Sequence, residues 1–110
     1  MLTDEMRYTL MRLLEANPKM SQREAARKLG ISLGKVNFCL RALVRAGLVK
    51  ATRFKNSRNK AAYKYLLTPS GIEAKAALTL RFLQLKLLEY EQLRVEIEQI
   101  RREAEGLAAH

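Results

Sequence analysis

The chain of 110 residues has no tryptophan, one cysteine, one histidine and two prolines. A single cysteine excludes an internal disulfide. Cys39 falls on an apolar helical face, which predicts a small buried hydrophobe rather than a redox sensor. The histidine is His110, the last residue, so a zinc site has almost no ligands within the chain. There is no glycine-rich phosphate loop and no nucleophile motif. The acids of the first 70 residues, Asp4, Glu5, Glu15 and Glu24, stand at helix ends or exposed positions, not as a catalytic pair. An enzyme, a metal centre and a cofactor are therefore not expected. No apolar run approaches the ~20 residues of a membrane span, and no signal-peptide pattern opens the chain. These absences predict a soluble, cytoplasmic protein. Repeats and low-complexity tracts are also lacking.

Acid is scarce in one part of the chain. Residues 1–70 hold 15 Lys and Arg against 4 Asp and Glu, while residues 71–110 hold 6 against 7, so the first part carries the whole net charge of +10. From Val49 to Ile72 there is no acid, only Lys50, Arg53, Lys55, Arg58, Lys60 and Lys64. A concentrated basic field is the mark of a polyanionic partner. Charge serving solubility alone would spread over both halves. A membrane-surface partner would call for a basic amphipathic helix, and this segment reads as strand and turn.

The most informative stretch runs from Met20 to Leu43. Ser21 followed by Glu24 is a capping box, with Met20 placed to staple onto Ala25. Ala25, Ala26 and Leu29 form an apolar stripe. Gly30 suits the left-handed residue that closes a helix, and Ile31 can plug the corner. Ser32 then caps a second helix that runs to about Ala46, stopped by Gly47. Val36, Cys39, Leu40 and Leu43 share its inner face, while Lys35, Asn37, Phe38, Arg41 and Arg45 lie mainly off it. Two helices joined by a short glycine-containing turn make a helix-turn-helix, although a capped helical hairpin in any small helical domain reads alike.

Around it, a first helix is predicted from Asp4 to Ala16, capped by Thr3, with Met6, Leu10, Leu13 and Leu14 inward. Leu48–Phe54 and Ala61–Leu67, separated by the polar tip Lys55–Lys60, read as a β-hairpin. Three helices and a hairpin are the order of a winged helix, the tip being the wing. Thr68 and Pro69 start a helix that continues to about Glu105, roughly 50 Å at 1.5 Å per residue. Its first half carries Leu78, Leu80, Phe82, Leu83, Leu85, Leu87 and Leu88, too many faces for a surface helix. Its second half narrows to Leu93, Ile97, Ile100, Ala104 and Leu107, spaced as a coiled-coil seam. The fold expected is mainly α with a small β-hairpin: a winged helix-turn-helix domain over residues 1–70 and a long C-terminal dimerisation helix over 71–110. The alternative is that this helix folds back over the domain. The homodimer interface is assigned to Leu80, Leu83, Leu87, Tyr90, Leu93, Ile97, Ile100 and Ala104.

These residues resemble the MarR-type winged-helix transcription regulators, in particular a small subgroup associated with exopolysaccharide (EPS). The resemblance rests on Leu29-Gly30-Ile31-Ser32-Leu33-Gly34-Lys35-Val36-Asn37, on Leu40-Arg41-Ala42-Leu43 with Gly47-Leu48-Val49, on Phe54-Lys55-Asn56-Ser57-Arg58-Asn59-Lys60, and on Leu67-Thr68-Pro69-Ser70-Gly71. It covers about residues 1 to 105, and the wing is its more specific part. It implies a dimeric DNA-binding repressor or activator whose helix from Ser32 to Ala46 reads bases. Typical members are longer, build the dimer from both chain ends and often hold a phenolic ligand. Here the winged domain starts within a few residues of Met1, which puts dimerisation on the C-terminal helix and leaves an effector undefined.

The function expected is sequence-specific binding of double-stranded DNA. Lys35, Asn37 and Arg41 are the candidate base readers, joined by Arg45. Ser32 and Gly34 allow close backbone approach. Lys28, Arg53, Lys55, Asn56, Ser57, Arg58, Asn59 and Lys60 are assigned to phosphates and the minor groove. Phe38 is open between a thymine methyl and packing against the wing or first helix. Alternatives of other classes are a winged-helix protein-interaction adaptor and a non-specific nucleic-acid binder.

Overall fold

A computed structural model describes residues 3–55, 58 and 61–109. The elements follow in the order α1 (Asp4–Ala16), α2 (Gln22–Leu29), α3 (Leu33–Arg45), β1 (Val49–Lys55), β2 (Ala61–Leu67) and α4 (Pro69–Ala108). The chain is mainly helical with one antiparallel hairpin, in register from Val49↔Leu67 to Lys55↔Ala61. The C-terminal helix runs three residues past the Glu105 expected from the sequence.

Each expected cap forms. Thr3 Oγ1 accepts from the Met6 N–H at 3.1 Å, Ser21 Oγ from Glu24 at 3.1 Å and Ser32 Oγ from Lys35 at 3.1 Å. Such caps contribute about 1 kcal/mol each. The far end of α3 closes with two crossed bonds, Gly47 N–H to Val44 O and Leu48 N–H to Leu43 O, both 3.0 Å. This pair requires a left-handed residue, and Gly47 has φ +76. Asn17 turns the chain out of α1, its Oδ1 accepting from the Lys19 N–H at 3.2 Å.

Packing divides the chain after Thr79. In the first unit, α1 packs on α2, α3 and β2, and α3 packs on β1. One core collects Leu10, Met11 and Leu14 from α1, Met20, Ala25, Ala26, the four inner residues of α3, Val49, Tyr65 and Leu78. The predicted α1 stripe is rotated slightly. Met11 is fully buried, while Met6 and Leu13 are only partly covered. Three neighbours surround α1, so its buried face is centred on Leu10, Met11 and Leu14 instead of a single seam. The first turns of α4 belong to this unit. Lys75 Nζ bonds Glu15 Oε1 at 2.7 Å, and Leu78 closes the core. The charge change near residue 70 and the packing boundary after Thr79 are thus separate marks on the same helix.

The second unit is the part of α4 from Leu80 onward. Its described residues are exposed except for half-buried Phe82. Leu80 is 65% exposed, Leu87 57% and Ile97 46%. No helix among the described residues is long and apolar enough to cross a membrane.

Gly71 sits where α4 meets the strand base, and a Cβ there would overlap the Leu48 carbonyl. At Gly34, in the first turn of α3, a Cβ would meet nothing within 4 Å. Gly71→Ala is therefore expected to cost about 1–3 kcal/mol of unfolding free energy by overpacking. Gly34→Ala should be neutral or stabilise by about 0.5–1 kcal/mol. Urea titration of the two variants beside the parent protein checks both signs.

Candidate nucleic-acid interface

The candidate interface is built from α3 and the hairpin. Once Val36, Cys39, Leu40 and Leu43 are committed to the core, the helical period leaves the opposite side to water. Gly34, Lys35, Phe38, Arg41 and Arg45 are exposed there, and Asn37 is half-buried at the margin. Ser32 is also exposed, at the cap of α3. Phe38 is 57% exposed, so packing against the wing or first helix is not how this ring is used. It stands between Gly34 and Arg41 on a stripe spaced four and three residues apart. An exposed phenyl ring between cationic side chains can meet an apolar base substituent.

Basic residues continue on the neighbouring elements. Lys28 is exposed in the last turn of α2, Arg53 and Lys55 are exposed on β1, and Arg58 is exposed beyond it. Asn56, Ser57, Asn59 and Lys60, also assigned to the wing, lie outside the described residues. The acid-free stretch is longer than the wing, with no Asp or Glu between Glu24 and Glu73. Every charged side chain of α3, β1 and β2 is therefore cationic, and the potential over this face has one sign.

Two open clefts flank the base of the wing. One, about 500 Å³, lies between α3 and the hairpin and includes Asn37, Arg41, Val44, Arg45 and Ala51 in its lining. The other, about 590 Å³, includes Lys19, Met20, Ser21, Phe54 and Lys55. Gln22, Tyr63 and Tyr65 line both and form the wall between them. The two tyrosine rings stack with centroids 6.1 Å apart, and Lys19 Nζ lies 5.3 Å from the Phe54 centroid. Across the wall, Gln22 Nε2 donates to Tyr65 Oη at 3.1 Å and Asn37 Nδ2 donates to Gln22 Oε1 at 3.2 Å. Sequence reading missed Gln22, Tyr63, Tyr65 and Lys19. Gln22 reads there only as the first residue of a helix, because its two partners are 15 and 43 positions away.

Residues 3–50 match the family model described as winged helix-turn-helix DNA-binding. This part of the chain is similar to winged helix-turn-helix DNA-binding domains. Solved structures extend the likeness past the matched segment. PcaV, a transcriptional regulator from Streptomyces coelicolor seen with its natural ligand, is 20% identical; the alignment covers 94% of this chain and 76% of PcaV, with a TM-score of 0.67. A variant of MepR from Staphylococcus aureus is 26% identical, with 97% and 78% covered and a TM-score of 0.62. A second MepR variant, bound to an oligodeoxyribonucleotide, is 22% identical, with 86% and 74% covered and a TM-score of 0.58. No curated protein sequence matches the chain. These neighbours are MarR-family regulators, the type the sequence resembles. The winged-helix match is to a DNA-binding module, not to a catalytic one.

On α4, Leu80, Leu83, Leu87, Tyr90, Leu93, Ile97 and Ile100 are all exposed and apolar, and Ala104 is exposed beside them. Leu85, Leu88 and Val95 form a second exposed line, off the expected seam. Ion pairs run along the helix, with Lys86–Glu89 at 3.2 Å and Arg94–Glu91 at 2.5 Å. The hydrogen bonds from Arg94 hold the Glu91 carboxyl below its ordinary range.

Cys39 lies on the inner face of α3 and is 1% exposed. Burial pushes its thiol above the ordinary value, against a smaller opposing effect of Lys35. The neutral thiol is the form the fold favours at pH 7, and the thiolate is the reactive one. A disulfide reagent at pH 7 should label the native protein at least tenfold more slowly than the urea-unfolded chain. Equal rates would contradict a buried Cys39.

Proposed function

We propose that the chain is a sequence-specific, double-stranded DNA-binding transcription regulator of the MarR type, acting as a homodimer. The observation that carries this reading is the outward stripe of α3, a row of cations and one exposed phenyl ring on a helix that lies within the acid-free stretch. In this reading α3 enters the major groove, where Arg41 and Lys35 pair with guanine and Asn37 with adenine. Lys28, Arg53, Lys55 and Arg58 meet phosphate. MepR bound to an oligodeoxyribonucleotide supports DNA as the ligand of this fold. The resemblance of the wing sequence points to exopolysaccharide-related genes as targets, and the fragments that the protein retains from genomic DNA test that assignment.

Dimerisation is proposed through α4 from Leu80 onward. A helix with exposed apolar lines on two sides is costly in water, at roughly 25 cal/mol per Å² of apolar surface left wet. Pairing two copies along the seam at Leu83, Leu87, Leu93, Ile97 and Ile100 removes that surface and sets two recognition helices about 34 Å apart, one turn of duplex. The EPS-type assignment and this pairing are independent, and either can fail alone.

Arg41→Ala is expected to weaken binding to the preferred site by about 1–3 kcal/mol and to relax one base position. Unchanged affinity there would remove Arg41 from the reading set. Replacing Lys55 and Arg58 together with Ala should lower the slope of log affinity against log salt by about 2, leaving the preferred sequence unaltered. Leu83→Glu combined with Leu87→Glu should convert a two-chain mass in light scattering to one chain and weaken operator binding. A protein that shifts no random duplex at low salt and micromolar concentration would instead fit the adaptor reading.

A further inference from the structure

We propose that Gln22 is a positioning residue for base reading, holding the Asn37 amide through a relay that starts at the buried Tyr65 hydroxyl. The proposal rests on the reading of α3 as the base-reading helix. Tyr65 is 7% exposed, and a phenol buried to that degree needs a partner for its oxygen. That partner is Gln22, which donates from Nε2 at 3.1 Å. The other end of the same carboxamide accepts from Asn37 Nδ2 at 3.2 Å. Both ends of the Gln22 amide are thus committed, and its plane is fixed by groups on two other elements, β2 and α3. Asn37 inherits that fixed plane.

The geometry leaves Asn37 able to read. An amide nitrogen carries two protons. A paired contact with adenine uses Oδ1 and one of them, so the bond to Gln22 and the base contact draw on different protons. Asn37 is one helical turn before Arg41, so the two are neighbours along the helix. Both line the cleft between α3 and the hairpin. Holding the amide before DNA arrives removes the rotamer freedom that base binding would otherwise have to freeze.

The test begins with a duplex enriched by the wild-type chain from a random pool. The base pair at which Asn37→Ala loses discrimination is located by single changes in that duplex. Affinities of wild type, Gln22→Ala, Asn37→Ala and the double variant are then measured on the matched duplex and on the duplex changed at that pair. Wild type should discriminate on the order of tenfold. Gln22→Ala should lose most of that ratio at the same base pair, and the double variant should be no worse than Asn37→Ala, as coupled residues require. Tyr65→Phe, which removes only the hydroxyl, should lower the same ratio, with thermal melting confirming that it folds. If Gln22→Ala weakens both duplexes equally, or if the losses add, Gln22 only packs the domain and the positioning role is overturned while the regulator reading stands. If wild type enriches no sequence, both fall together.

Discussion

The first unit depends on the junction at Thr68, where four chain segments meet within one network of bonds. Thr68 Oγ1 donates to the Gly47 carbonyl at 2.6 Å and accepts the Gly71 N–H at 3.0 Å, while the Thr68 N–H reaches Leu48 O at 3.0 Å. One residue, through its hydroxyl and its backbone N–H, thereby joins the end of α3, the start of β1, the end of β2 and the first turn of α4. Gly71 lets the helix approach the Leu48 carbonyl where no side chain fits. A hairpin of two strands is marginal by itself. Here its open end is clamped, and the Tyr65 N–H bonds the Pro18 carbonyl at 2.9 Å, so the strands are held from both sides.

Function follows from what this frame leaves uncovered. The core takes one face of α3 completely, and the remaining face has no acid near it in the chain. Concentrated positive charge draws a duplex by releasing its counterions, a force without sequence preference. Preference has to come from side chains held in defined planes. The Tyr65–Gln22–Asn37 relay holds one amide in such a plane. It crosses from the hairpin through α2 to α3, so the orientation of one amide depends on all three elements. Part-buried side-chain bonds of this kind tie the three elements together locally.

Much of this was legible in the sequence because the signals are local. Thr3, Ser21, Ser32 and Thr68 are caps whose partners lie three residues away, and each forms as predicted. Gly30 and Gly47 end helices with φ +68 and +76, as the capping rules require. The inner face of α3 was read in full because a 3.6-residue period is a property of a short window. The parts that were not legible are non-local. Gln22 meets Tyr65 only after the hairpin closes. Met11 is buried because three elements surround α1, and no window around Met11 contains that information. The helical period puts Phe38 off the inner face of α3, but whether the wing or α1 covers the ring is decided only by the assembled fold, which leaves it 57% exposed. Leu85, Leu88 and Val95 were visible as apolar but not as a second line, since Leu78 and the neighbouring turns share their part of the period.

The proposed pairing of two α3 helices along one duplex is the most demanding consequence of the regulator reading, since it would join the charge, the exposed stripe and the apolar lines of α4 in one assembly. Selection of bound duplexes from a random pool, followed by sequencing of the enriched fragments, tests it directly. A paired reader enriches an inverted repeat with half-site centres about 10 base pairs apart. Enrichment of a single half-site, or of no sequence at all, contradicts it.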